Sequence, residues 1–297
     1  YKTLDGRYVE KIKFDSMPEA TKWVNEYKNV TNFEYFGNTR HQYPFIADEF
    51  QGKIDWDINQ IKILTIDIEC ESENGFPSPE KADQPLICIT VKDHTSKKII
   101  VFGMGNFVND REDVQYINCS SETHLVETFT KFWVEYNPDI ITGWNVKFFD
   151  IPYLMNRFRY LMGDEWINQF SPWGIVEQRS AAVLFASREQ QVWNIMGVDT
   201  LDYLDLYRKF TFVRRESYKL DYIGEVELGE NKNENPYDTF KEFYANDYQK
   251  FVEYNIQDVE LVDKLEDKMQ LIRLFLTMAY EAKVNYQDVF GQVRIWD

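Results

Sequence analysis

Apolar and polar positions alternate with a period of two from Ile61 to Cys70, which predicts a β-strand bounded by polar sequence. Leu64, Ile66, Ile68 and Cys70 share one face, and Ile61, Ile63, Thr65, Asp67 and Glu69 share the other. Leu86 to Lys92 and Lys98 to Phe102 predict paired strands around a polar turn, and Asp139 to Thr142 a short buried strand. Leu125, Phe129, Phe132, Trp133 and Tyr136 recur at helical spacing. A helix over Ile151–Met162 should stop at Gly163. Residues 180–197 read as a hairpin with a polar tip at Ser187-Arg188-Glu189, and 200–210 and 240–280 as further helices, the last interrupted or bent. Near the amino terminus, Ser16-Met17-Pro18-Glu19 forms a capping box ahead of Ala20, Trp23, Val24 and Tyr27 at helical spacing. Asn29 to Gly52 is loop-rich, so a domain boundary falls near residue 55. Beyond it, strand and helix alternate, as in an α/β fold.

Composition narrows the class. A chain of 297 residues holds one large domain, or one with a smaller companion. Hydrophobic residues at 44% and aromatics at 16% exclude disorder. No apolar run approaches the roughly 20 residues of a membrane span. The first residues, Tyr-Lys-Thr-Leu-Asp-Gly, are neither a signal peptide nor a start Met, which suggests an excised or truncated piece. Cys70, Cys88 and Cys119 are scattered and make no C-x-x-C pair, which fits a reducing cytoplasm and argues against structural zinc. The isolated His41, His94 and His124 read as surface residues. A net charge of −17 gives no broad phosphate-binding surface, so any DNA binding by this chain alone should be weak and salt-sensitive.

Charge matters most where it is crowded. Asp67 and Glu69, at i and i+2, point the same way about 6.5–7 Å apart along the strand. Such a pair repels unless a cation lies between its members, and carboxylate oxygens suit Mg²⁺ or Mn²⁺. The competing reading is a solvated face of an edge strand. Gly143-Trp144-Asn145-Val146-Lys147-Phe148-Phe149-Asp150 runs from a strand end into a helix, where α/β sheets bind ligands. There Asp150 reads as a helix cap, which does not exclude a metal role, and Asn145 as a turn residue or a contact. Phe251, Tyr254, Asp258, Leu261, Val262 and Leu265 share one helical face, which places Asp258 inside an apolar stripe. A buried charge needs a partner. Tyr254, one turn earlier, supplies a hydroxyl, although a core Tyr–Asp pair would look the same. Asp199, Asp202 and Asp205 read as caps and a solvated face.

Asp-x-Glu on a strand, Asn-x-x-x-Phe-Asp at a strand–helix junction and Tyr-x-x-x-Asp on a helix, in that order, resemble the DEDD proofreading exonucleases of the Tyr variant. The runs Leu64–Glu69, Ile141–Asn145, Asp199–Phe210 and Tyr254–Val259 resemble the amino-terminal part of family B DNA polymerases from T-even-like phages. The similarity extends from the capping box to Arg294-Ile295-Trp296-Asp297. The resemblance implies an α/β exonuclease domain over residues 56–270, with an RNase H-like mixed sheet and flanking helices. It also implies a smaller α+β N-terminal domain over 1–55, rejoined by 271–297.

The implied activity is proofreading 3′→5′ hydrolysis of single-stranded DNA ends, releasing nucleoside monophosphates. Two Mg²⁺ or Mn²⁺ ions about 3.5–4 Å apart would be held by Asp67, Glu69, Asp150 and Asp258. In this scheme Asp67 bridges both ions, Glu69 and Asp258 complete the site that activates water, and Asp150 serves the ion at the leaving oxygen. Tyr254 orients the water, since a phenol is a poor base at neutral pH. Phe76 would stack on a terminal base, unless it is a buried core residue, and Asn145 and Phe149 would add DNA contacts. The hairpin would help part the primer strand from its template. The implied partners are primer–template DNA and the palm, fingers and thumb domains, in the same or another chain, within a host cytoplasm. No palm or fingers motif is present before Asp297. Two rival readings stand beside this one: a free-standing DEDD nuclease acting on RNA, and a non-catalytic DNA-holding module.

Overall fold

A computed structural model describes the chain except residues 4, 37–41, 73, 74, 76, 184–188, 231–235, 238 and 292–297, and describes 42 and 44 by backbone alone. Two compact units emerge, Tyr1–Asp55 with Met278–Asp297, and Trp56–Thr277.

In the first unit, α1 (Met17–Tyr27) follows Ser16, whose side chain accepts the Glu19 N–H at 3.4 Å. The Glu19 carboxylate reaches back to the Asp15 N–H at 3.3 Å, one residue earlier than in a strict capping box. Trp23 stacks on Tyr27 with ring centroids 4.8 Å apart, and Phe14 and Phe33 pack around it. Helix α2 (Gln42–Glu49) and an antiparallel bridge between Lys2 and Tyr8 complete the regular structure described before residue 55. Tyr43 donates to Asp288, which joins the early and late segments of this unit.

The second unit begins with β1 (Ile63–Cys70), β2 (Leu86–Asp93), β3 (Ile99–Gly103) and β4 (Val114–Asn118). Helix α3 (Glu122–Tyr136), β5 (Ile140–Gly143) and α4 (Asp150–Met162) follow. After the hairpin of β6 (Val176–Ala182) and β7 (Glu189–Ile195) come β8 (Asp199–Asp202), α5 (Tyr203–Phe210) and α6 (Leu220–Leu228). The unit closes with α7 (Phe240–Asn246), α8 (Tyr248–Met269) and the start of α9 (Leu271–Ala282). Six strands form one mixed sheet in the order β4-β3-β2-β1-β5-β8. β1 and β3 pair antiparallel with β2, and the remaining pairs are parallel.

The period-two pattern of β1 explains how the sheet is covered. Leu64, Ile66, Ile68 and Cys70 pack into a core with Leu125, Phe129 and Trp133 of α3 and with Leu154 and Phe158 of α4. On the opposite face, Ile87, Cys88, Ile99 and Val101 meet Phe243 of α7 and Phe251, Val252 and Ile256 of α8. The α/β sheet with flanking helices is thus borne out.

Several boundaries differ from expectation. The helix expected over 200–210 starts only at Tyr203, because Asp199–Asp202 pairs with β5 as an edge strand too short to show a period. The stretch 240–280 is three helices. Asp247 leaves helical geometry and caps α8, accepting the Lys250 N–H at 3.2 Å. Gln270 turns left-handed at φ 52°, and the buried Glu266 carboxylate accepts the Ile272 and Arg273 N–H groups that open α9. Phe275 of α9 meets Phe210 of α5, so the return to the first unit falls within α9, at Met278, and not at its start. The hairpin pairs Val176 with Ile195 through Ala182 with Glu189, while Ser187 and Arg188 of its expected tip lie outside the described residues. No helix among the described residues is long and apolar enough to cross a membrane.

Candidate active site

The pairing of β1 changes toward its carboxyl end. Ile63, Leu64 and Thr65 pair with β5, whose last residue, Gly143, leaves the register before Asp67 is reached. Gly143 has to be glycine: a Cβ there would stand 2.4 Å from the Ile66 carbonyl oxygen, a backbone atom that cannot step aside. On the other side of β1, the register with β2 slips between Glu69 and Cys70. The extra residue there is Ile87 of β2, so it is β2 that bends away beside the end of β1. Asp67 and Glu69 are half-buried, in a strand whose other residues are buried.

Helix α8 crosses the same face of β1 and β2 and brings in Asp258, which is buried at 6% exposure. One carboxylate oxygen from each of Asp67, Glu69 and Asp258 lies within 4.8 Å of the other two. Tyr254, a turn earlier on α8, is half-buried, with its ring edge-on to Phe240 and Phe243 at 5.9 Å each. It thus packs against the aromatic core of α7 and α8, one helical turn before Asp258.

Asp150 approaches β1 from the opposite layer. It is the first residue of α4 rather than its cap; Phe149 holds the cap position and makes no side-chain cap bond. The cap reading of Asp150 is therefore corrected. Its Oδ1 instead accepts the N–H of Ile68 at 3.1 Å, between Asp67 and Glu69. It is not one of the three residues whose oxygens converge within 4.8 Å. Burial, with the charges of Asp202 and Asp258, pushes its carboxyl above the ordinary carboxylate range.

Asn145 takes a left-handed turn at φ 66°, and its carbonyl accepts the Phe148 and Phe149 N–H groups. Phe149 is half-buried, 5.9 Å from the Tyr153 ring and packed on the sheet core. Phe76 lies outside the described residues.

Two features were not foreseen. Asn255, fully buried on α8, donates from Nδ2 to Asp67 Oδ2 at 2.5 Å, while its Oδ1 faces the Cys88 Sγ at 3.5 Å. The available signal was an amide inside the apolar stripe of α8. Asp205, read as part of a solvated face, is 3% exposed and lies 3.7 Å from the Lys147 ammonium. The reading fails because that side of α5 packs inward, with Leu206 and Tyr207 buried beside it. Asp202 does cap α5, accepting the Leu204 N–H, and it also accepts the Asn145 and Lys147 N–H groups, each at 3.0 Å. Burial and the neighbouring Asp205 raise its carboxyl. This residue holds the β5–α4 loop, and with it the entry to Asp150.

Residues 21–223 match the family described as DNA polymerase family B, exonuclease domain. The chain belongs to that family. Over its whole length the chain is 31% identical to a DNA-directed DNA polymerase of Escherichia phage RB69 and 28% identical to that of Enterobacteria phage T4. It is 25% identical, over 86% of its length, to a DNA polymerase delta catalytic subunit of Plasmodium falciparum. The chain spans 35% of the length of each phage relative. The family match includes Asp67, Glu69 and Asp150 and ends before α8, whereas the phage relatives align through α8 as well. The six-stranded mixed sheet with helices on both faces is the RNase H-like architecture expected of such a domain.

Proposed function

We propose that this exonuclease domain removes nucleotides from single-stranded DNA 3′ ends by metal-dependent 3′→5′ hydrolysis, as the proofreading part of a family B DNA polymerase. The observation that carries the reading is the convergence of Asp67, Glu69 and Asp258 oxygens from β1 and α8 at the open end of the sheet. The donors fit Mg²⁺ or Mn²⁺, since all are hard carboxylate oxygens with no thiol or imidazole among them. Bound divalent ions, two in this reading, would supply a lowered pKa for the attacking water and a counter-charge for the leaving 3′ oxygen.

The protein's own groups do the rest. Asp67, Glu69 and Asp258 would hold one cation, and Asp150, whose Oδ1 accepts the Ile68 N–H, would serve a second. Tyr254, beside Asp258, orients the attacking water by hydrogen bonding. Asn145 and Phe149, on the β5–α4 loop that Asp202 braces, contact the entering strand. Given the acidic surface, firm hold on primer–template DNA falls to further polymerase domains (palm, fingers and thumb), in the same or another chain, and the whole acts in a host cytoplasm. The test is release of 5′-mononucleotides from matched DNA and RNA single strands, with Mg²⁺ and with chelator. Release from DNA in Mg²⁺ alone is expected. Release confined to RNA would indicate an RNA nuclease, and no release a DNA-holding module.

A further inference from the structure

Asn255 takes no part in the proposed hydrolysis, yet it is a fully buried polar side chain that touches Asp67. It lies three residues before Asp258, so the two share a face of α8. An asparagine in that stripe is costly: it is a poor helix former, and a buried amide without partners loses several kcal/mol of hydration. Here both ends are occupied. Nδ2 donates to Asp67 Oδ2 at 2.5 Å, and Oδ1 faces the Cys88 Sγ at 3.5 Å. Cys88 sits on β2 directly opposite Glu69, and it is as deeply buried as Asn255.

The two ends of an amide are not interchangeable, since the nitrogen only donates and the oxygen only accepts. A carboxylate oxygen accepts from the nitrogen end and repels the oxygen end. A thiol on the other side donates its S–H to the oxygen end, so Cys88 and Asp67 select the same orientation. The contact therefore runs from thiol to amide to carboxylate, across β2, α8 and β1. It occupies one lone pair of Asp67 Oδ2 and holds the plane of its carboxylate beside Glu69 and Asp258. An N–H donated to the anion also offsets part of the repulsion among the three acids.

We infer that Asn255 is a positioning residue for Asp67, and that the Cys88 thiol sets the orientation in which its amide works. The inference rests on the proposed reading of the acidic group as a divalent-cation site. Groups that orient metal-binding carboxylates typically change metal affinity or activity by roughly 10- to 100-fold when removed.

The experiment uses the whole chain as wild type, Asn255→Ala, Cys88→Ala and Cys88→Ser. Mn²⁺ binding without DNA is followed by calorimetric titration, melting in EDTA serves as a check of folding, and kcat and KM are measured on single-stranded DNA. Asn255→Ala should weaken Mn²⁺ binding by roughly tenfold or more and lower kcat, with KM for DNA unchanged. Cys88→Ala should shift both in the same direction by less, and Cys88→Ser, which keeps a donor, should restore them. Wild-type Mn²⁺ affinity in folded Asn255→Ala, or a change in KM alone, would overturn the inference. Should Asn255→Ala not fold, equal Mn²⁺ affinities in Cys88→Ala and Cys88→Ser would overturn the orienting role. A wild type that binds Mn²⁺ but releases no nucleotide would defeat the nuclease reading while leaving Asn255 to be judged by the titration. A wild type that binds no Mn²⁺ would overturn both.

Discussion

Two groups of acids in this chain look alike in sequence and differ in what answers their charge. Asp199, Asp202 and Asp205 repeat every third residue across β8 and α5. Asp202 meets three backbone N–H groups, and Asp205 lies near the Lys147 ammonium. At β1 and α8, Asp67 meets the Asn255 amide and, beyond it, two more carboxylates. Burial does not separate the groups, since Asp202 is 2% exposed and Asp258 is 6% exposed. The difference lies in compensation. Asp202 and Asp205 also repel each other, but three backbone donors and a lysine offset that, whereas Asp67, Glu69 and Asp258 meet as three carboxylates, an arrangement that favours a cation.

The sharpest way to break this comparison is to remove the acids one at a time. Asp67→Ala and Asp258→Ala should each lower nuclease turnover by several orders of magnitude with the fold intact by circular dichroism. Near-normal turnover in either would take that residue out of the site. Asp150→Ala should lose as much activity and also melt earlier, because the buried Ile68 N–H loses its acceptor.

Tyr254→Phe removes one orienting hydrogen bond and no carboxylate. Its turnover should fall by roughly 10²–10⁴-fold, as for typical general acid–base contributions, with Mn²⁺ affinity held. Metal binding that falls along with the rate would mean that the hydroxyl has another role.

Asp202→Ala tests the other side of the comparison. It leaves the Asn145, Lys147 and Leu204 N–H groups without their acceptor, at about 1 kcal/mol or more each, so unfolding should become easier by about 3 kcal/mol. Most of the loss should appear in EDTA as well as in Mn²⁺, since the three N–H groups lose their acceptor whether or not an ion is bound. Unchanged denaturant unfolding would erase the distinction drawn here.

The smallest effect has the opposite sign. Asp258→Asn takes one charge from a mutually repelling group, so stability in EDTA should rise by an amount on the order of 1 kcal/mol, a pKa unit being worth about 1.4 kcal/mol. Wild type should gain melting temperature on adding Mn²⁺, and the variant should gain less. A wild type indifferent to Mn²⁺, or a variant less stable than wild type in EDTA, would show that these carboxylates do not form a cation site.

The sequence by itself determined what depends on short-range repetition. The period-two run at 61–70 placed Asp67 and Glu69 on one face, and helical spacing placed Asp258 within an apolar stripe a turn after Tyr254. Alternating strands and helices pointed to an α/β fold, and the resemblance carried by the three motifs implied the mixed sheet. Only the tertiary structure decided what each polar group meets. It broke 240–280 at Asp247 and Gln270, made Asp199–Asp202 an edge strand through pairing with β5, and turned Asp150 toward the Ile68 amide. It also buried Asp205 and set Asn255 between Cys88 and Asp67. Periodicity states which side of an element a residue occupies, because that follows from backbone geometry alone. The partner of a charge belongs to another element, distant in the chain, and is chosen only when the layers pack.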